Sequence, residues 1–192
     1  MAHPLSRSFD ELVDLINSMA NDAMLQRAVS EAMESALAVV RNGNKLLFAG
    51  NGGSAAEAQH MAAEYVSRFK FDRPGLAAIA LTTDTSILTA IGNDYGYENV
   101  FSRQIEALGR PGDLLFLSST SGRSPNVLKA LSASRRGGVK TVLLTGQRYE
   151  PGIDAPDILL MVPSAVTARI QELHLVLGHS ICEFVEQGMF GS

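Results

Sequence analysis

The sequence predicts an α/β protein: one parallel sheet with helices packed on both of its faces. Short apolar runs alternate with stretches of helical periodicity, the pattern of strand–helix–strand crossovers. The runs are apolar throughout instead of alternating with polar residues, as strands covered on both faces must be. At 192 residues with 46% apolar side chains, the chain can bury one full core but not two, so residues 1–192 read as a single domain.

Phe9, Leu12, Val13, Ile16 and Met19, then Leu25, Val29, Met33, Leu37 and Val40, fall at helical spacing, and Asn21-Asp22 breaks and caps the pattern. Two helices over about residues 9–41 therefore precede any strand. His3, near the terminus, is expected to be unstructured. Lys45–Ala49 is a short buried strand entering Gly50-Asn51-Gly52-Gly53-Ser54, and an alanine-rich helix follows to about Phe69. Strand, tight loop and helix then recur. Leu76–Leu81 leads to Thr82–Asp84 and a helix, Asp113–Ser118 leads to Ser119–Gly122 and a helix opened by Ser124-Pro125, and Val139–Leu144 leads to Thr145-Gly146. Asp157–Met161 is the fifth strand of a sheet core over about 45–161, and a long helix over about 165–187 follows. In such sheets ligands bind beyond the carboxyl ends of the strands, so function is to be sought in these loops.

Composition removes several classes. Sixteen Lys+Arg against twenty Asp+Glu give a net charge of −4, with no basic surplus to hold a nucleic-acid backbone. No apolar run approaches the roughly 20 residues of a spanning helix, and Met1–Asp14 lacks a signal-peptide core, so no membrane association and a cytoplasmic location are expected. One cysteine, Cys182, excludes a disulfide framework and a thiolate-rich metal site; by periodicity it is a small core residue, and any metal must use N and O ligands. Charged residues, at 19%, fall below the roughly 25% of average domains, which points to surface buried between subunits.

Two loops suit an anion. Gly50–Ser54 tolerates positive φ and precedes a helix whose first N–H groups lack partners; it fits a phosphate, or an ordinary turn with Ser54 as the helix cap. Ser118–Ser124 crowds hydroxyls into a second strand-to-helix loop, with Ser124-Pro125 an N-cap and first-turn pair. Together they point to a phosphorylated small molecule held mainly by neutral donors, with Arg68 and Arg123 as surface charges or helpers. His60 and Glu64, four apart on the helix after the glycine loop, share a face, which suits a metal or a salt bridge. The last helix adds Gln171 and His179, eight residues or about 12 Å apart along its axis. His179 stands in an apolar turn, as a core histidine or as a further N ligand of a zinc site with His60 and Glu64.

Gly50-Asn51-Gly52-Gly53-Ser54, His60-Met61-Ala62-Ala63-Glu64, Arg73-Pro74-Gly75, Gly92-Asn93-Asp94, Ser119-Thr120-Ser121-Gly122-Arg123-Ser124 and Arg169-Ile170-Gln171-Glu172 followed by His179 resemble, in this order, the phosphoheptose isomerases of the sugar isomerase (SIS) domain group. The resemblance runs from the N-terminal helices to about Phe190. It implies a three-layer α/β/α sandwich with a five-stranded parallel sheet, assembled as a homotetramer with active sites at subunit boundaries and the leading helices in subunit contacts. It implies the conversion of sedoheptulose 7-phosphate to D-glycero-D-manno-heptose 7-phosphate, the first step towards nucleotide-activated heptose and lipopolysaccharide. It implies one zinc ion per subunit on His60, Glu64, Gln171 and His179, with Glu64 and His179 also the acid/base pair. Substrate contacts carry over to Asn51, Gly52, Gly53, Ser54, Glu64, Asn93, Asp94, Ser119, Thr120, Ser121, Ser124 and Gln171. Ala168 stands where some relatives carry a carboxylate, so no role is assigned there. Non-catalytic relatives of the same fold, the DnaA-initiator-associating proteins, share the loops without the Glu and His that this chain has at 64 and 179.

Overall fold

The computed structural model describes residues 3–152 and 154–191. Pro4, with φ preset for a first helical turn, opens α1 (Pro4–Ala20), and His3 caps it by accepting the Leu5 N–H on Nδ1 at 3.2 Å. His3 is thus a helix cap and not an unstructured residue. Asn21 ends α1, and the Asp22 carboxylate accepts the Met24 and Leu25 N–H groups to start α2 (Ala23–Arg41), as the sequence break predicts.

Five strands follow: β1 (Leu46–Gly50), β2 (Ala78–Ala80), β3 (Leu114–Ser119), β4 (Lys140–Gly146) and β5 (Ile158–Val162). All neighbours pair in parallel, in the order β2-β1-β3-β4-β5. The remaining helices are α3 (Gly53–Val66), α4 (Thr85–Tyr95), α5 (Ser102–Leu108), α6 (Pro125–Gly137) and α7 (Thr167–Phe190). The strand pleat sends Leu46, Phe48, Leu114 and Phe116 into a core shared with α2, α3 and α7, and sends Leu47, Leu115, Leu117 and Leu143 into a second core with α5 and α6. A parallel sheet between two helical layers is what the apolar runs require, and the expected five strands are present. Cys182 lies fully buried, as its periodicity predicts.

Three details differ from the sequence reading. Helix α3 stops at Val66 instead of near Phe69, because Leu76 N–H and Arg73 take carbonyls of its last turn. That same use of Leu76 shortens β2, an edge strand, to three residues. A 3₁₀ turn at Tyr97–Asn99 and the seven-residue α5 occupy a stretch for which no element is expected; Val100, Phe101 and Ile105 anchor it, too few to set a period.

The sheet order reverses direction between β1 and β3, which makes this pair the switch point where a ligand crevice opens. Gly50, the last residue of β1, lies opposite Ser118, one residue before the end of β3, so the glycine loop and the serine loop leave the sheet side by side.

Candidate active site

Gly52 adopts φ +57°, a conformation only glycine takes freely, and serves as N-cap of α3. Ser54 is not the cap; it is buried in the first helical turn. Ser124 is at the N-cap of α6 with Pro125 after it, but its hydroxyl turns to the Ser119 hydroxyl at 3.3 Å instead of capping the helix. The two helix N-termini and their loops enclose a polar pocket of about 70 Å³ lined by Asn51, Ser54, Ser118, Ser119, Thr120, Ser121, Ser124 and Gln171. Every one of these residues is uncharged, so an anion there meets hydroxyls, amides and the positive ends of two helix dipoles. Arg123 is outside it, exposed and paired with Glu150 at 3.3 Å.

Two residues that the sequence did not single out, Asn126 and Tyr97, hold Asn51 in the pocket wall. Asn126, buried at the start of α6, pairs amide to amide with Asn51, with bonds of 2.8 and 2.9 Å, and the Tyr97 hydroxyl donates to the same Asn51 Oδ1 at 3.2 Å. Gln171 packs its amide against Gly53, where a Cβ would approach it to 2.7 Å.

Further along α3 and α7 lies a second group. His60 Nε2 is 2.9 Å from His179 Nε2 and 3.4 Å from Glu64 Oε1, and the three ligand atoms lie within 4.8 Å of one another. Two imidazole nitrogens this close share a proton or a cation. Ligands at about 2.0–2.1 Å on a tetrahedral ion are about 3.4 Å apart, so the N, N and O donors fit a zinc-type site. Burial, then the neighbouring His60, hold the His179 imidazole below its ordinary value against the pull of Glu64, favouring the neutral ring that a metal needs. His179 is half-buried, whereas the fully buried histidine of α7 is His174. Of the residues expected from the resemblance, His60, Glu64 and His179 come together, and Gln171 joins the hydroxyl pocket. Asn93 and Asp94 are exposed near the end of α4, bonded to each other at 2.7 Å, and do not line that pocket.

The SIS-domain family matches residues 9–146. A phosphoheptose isomerase of Burkholderia pseudomallei (strain 1710b) is 53% identical over 187 residues, covering 97% of this chain and 95% of that protein. The chain belongs to the phosphoheptose isomerase family of SIS-domain proteins. A family member of Aneurinibacillus thermoaerophilus is 52% identical over 178 residues, 93% of this chain and 90% of that protein. The solved phosphoheptose isomerase of Neisseria gonorrhoeae superposes with a TM-score of 0.86 at 42% identity, covering 95% of this chain and 97% of that one. As a phosphoheptose isomerase family member the chain is a sugar-phosphate isomerase, with the SIS fold that its motifs predict. Among the described residues no helix is long and apolar enough to cross a membrane.

Proposed function

We propose that the chain interconverts sedoheptulose 7-phosphate and D-glycero-D-manno-heptose 7-phosphate, supplying an aldose phosphate for nucleotide-activated heptose. The observation that carries this is the convergence of His60, Glu64 and His179 one stretch of helix away from a neutral hydroxyl pocket. Ser54 and His60 are six residues apart on α3, about 9 Å along its axis. That separation calls for a substrate whose phosphate and carbonyl sit at opposite ends of a chain.

In this reading the hydroxyls of Ser119, Thr120, Ser121 and Ser124, with Gly52 and Gly53 at the α3 N-terminus, bind the phosphate. Asn51 and Gln171 orient the chain of hydroxyls. Asn93 and Asp94, exposed here, complete the substrate contacts at a subunit boundary. His60, Glu64 and His179 would hold a zinc ion, with Gln171 the fourth ligand that the family resemblance implies. When bound, the ion supplies Lewis-acid stabilisation of the oxyanion that develops on the sugar. Glu64 takes the proton from C1, and the C1–H pair becomes the C1=C2 bond of an enediol(ate) as the C2 carbonyl electrons move to oxygen. His179 moves a proton from O1 to O2, and Glu64 returns its proton to C2, leaving the aldehyde at C1.

A homotetramer is part of the proposal. Leu5, Phe9, Val13 and Ile16 form an exposed apolar face on α1, and a groove of about 540 Å³ opens between α1, α2 and α7, lined by Met19, Val29, Met33 and Val176. A face of this kind is expected between subunits.

The deciding experiment incubates purified protein with sedoheptulose 7-phosphate and follows the aldose 7-phosphate by NMR, with and without a chelator, beside Glu64→Gln. Aldose formation that falls with chelation and drops by at least about 10²-fold in Glu64→Gln is expected, the scale of a lost acid/base group. Near-wild-type turnover in that variant removes Glu64 from the mechanism. No turnover with added zinc moves the reading to a binding protein.

A further inference from the structure

We propose that the buried Arg73–Glu186 ion pair is a positioning device for the acid/base pair, locking the end of α3 that carries Glu64 to the stretch of α7 that carries His179. The inference rests on the proposed isomerase reading of those two residues. Glu64 and His179 are far apart in sequence and come from different helices, so their mutual distance depends on how α3 and α7 are fastened together. Three of the levels at which the two helices meet are Gly53 with Gln171, His60 with His179, and the segment after α3 with Glu186.

The third level is made of directed hydrogen bonds. The side chains of Arg73 and Glu186 are each 1% exposed, with Nε 2.9 Å from Oε1. The carbonyls of a helix's last turn lack partners within the helix. Arg73 takes them here: Nη2 donates to the Glu64 carbonyl at 2.8 Å, and Nη1 donates to the Tyr65 carbonyl at 2.7 Å. Further Nη1 bonds reach the Pro74 and Ser67 carbonyls at 3.0 and 3.3 Å. On the other side, Glu186 Oε1 accepts the Phe69 N–H at 2.9 Å and Oε2 accepts the Lys70 N–H at 2.7 Å. Phe69, held by its N–H, sets its ring 5.4 Å from the His179 ring. One guanidinium thus fixes the backbone of Glu64, and its partner carboxylate fixes the side chain that faces His179. Burying an ion pair in place of a packed apolar pair adds little net stability. An apolar pair of the same volume fills the space but leaves the Glu64 carbonyl and the Phe69 and Lys70 N–H groups without these partners, and the end of α3 held to α7 by undirected packing alone.

The test uses Glu186→Gln, which keeps the volume but sets an NH₂ group where an acceptor is needed, and Arg73→Lys, which keeps the charge but cannot reach all of these acceptors. Each is assayed for kcat and KM, for zinc affinity by competition with a chromophoric chelator, and for binding of sedoheptulose 7-phosphate to the metal-free protein by calorimetry. The expected result is a kcat lower by about 10- to 100-fold, the cost of a displacement near 1 Å, with weaker zinc binding and substrate affinity of the metal-free protein unchanged. Wild-type kcat and zinc affinity in both folded variants overturn the proposal, as does an equal loss of substrate binding, which marks general loosening. If neither variant folds, Phe69→Leu, which leaves the ion pair in place, decides by the same readouts. A wild-type protein inactive with added zinc refutes the isomerase reading instead, and the zinc competition then still tests the clamp.

Discussion

The Glu57 carboxyl gives the most quantitative prediction. It faces inward from α3 beneath the glycine loop, with Oε1 accepting the Ser118 hydroxyl at 3.2 Å and Oε2 buried without a partner. It borders a cavity of about 20 Å³, room for one water, among Phe48, Met61, Tyr65 and Phe116. Burial pushes its pKa up from 4.5 to about 7, with the Ser118 bond opposing. A group whose folded pKa is raised stabilises the fold fully below its unfolded pKa and loses that contribution as pH rises through the folded one. The window is therefore pH 4.5 to about 7, and the loss, at about 1.36 kcal/mol per pH unit over (7 − 4.5), is about 3 kcal/mol. The wild-type profile alone hides this, because burial pulls His174 down from 6.5 to about 4, against the Thr145 backbone, and a depressed pKa costs stability as pH falls over much the same range. The difference between wild type and Glu57→Gln isolates the carboxyl. Denaturant unfolding at fixed protein concentration, from pH 4.5 to 8, is expected to show the variant gaining about 3 kcal/mol on the wild type across the series. Parallel curves refute a neutral, buried Glu57.

His60→Ala is expected to lower bound zinc, by elemental analysis, far more than it lowers the thermal midpoint; unchanged zinc content counts against the metal site. Asn126→Ala leaves the Asn51 amide without its buried partner, a loss of about 1–3 kcal/mol, and is expected to raise KM by at least about tenfold with a smaller change in kcat. An unchanged KM detaches Asn51 from substrate binding. Ile16→Asp puts a charge at the lip of the apolar groove, so sedimentation is expected to report a smaller assembly than the wild type; an identical sedimentation coefficient places the subunit contact elsewhere.

What the sequence makes legible is local. The α1–α2 break is written in Asn21-Asp22, the strands in apolar runs, and the His60–Glu64 pair in a spacing of one helical turn. His179 is legible from its apolar turn only as one of two alternatives, a core histidine or a further ligand, because no period links it to a helix so distant in the chain; the family resemblance is what favours the second. Glu57 reads as an ordinary helix residue between Ala56 and Ala58, yet the close approach of β1 and β3 puts it beneath the loops. Arg73 stands in an irregular segment and Glu186 between Val185 and Gln187 near a helix end, so only the tertiary meeting of α3 and α7 reveals that both side chains are buried. His3 is the converse case: its place near the terminus reads as unstructured, whereas Pro4 directly after it opens a helix that His3 caps.

The division of labour between the two subsites follows from the reaction itself. Substrate and product of a sugar-phosphate isomerase carry the same phosphate, and so does every state between them, so in the proposed reading the hydroxyl pocket binds all of them alike. Uniform binding of that kind lowers KM and leaves the barrier from the bound state unchanged. Only the carbonyl end changes charge, and in that reading it lies where His60, Glu64 and His179 converge. Changes at Ser119, Ser121 or Ser124 should therefore appear in KM, and changes at Glu64, His179 or the ion pair behind them in kcat. A pocket of neutral donors suits this role: hydroxyls and helix termini hold a phosphate without a fixed cation, so the product is released from the same contacts that capture the substrate.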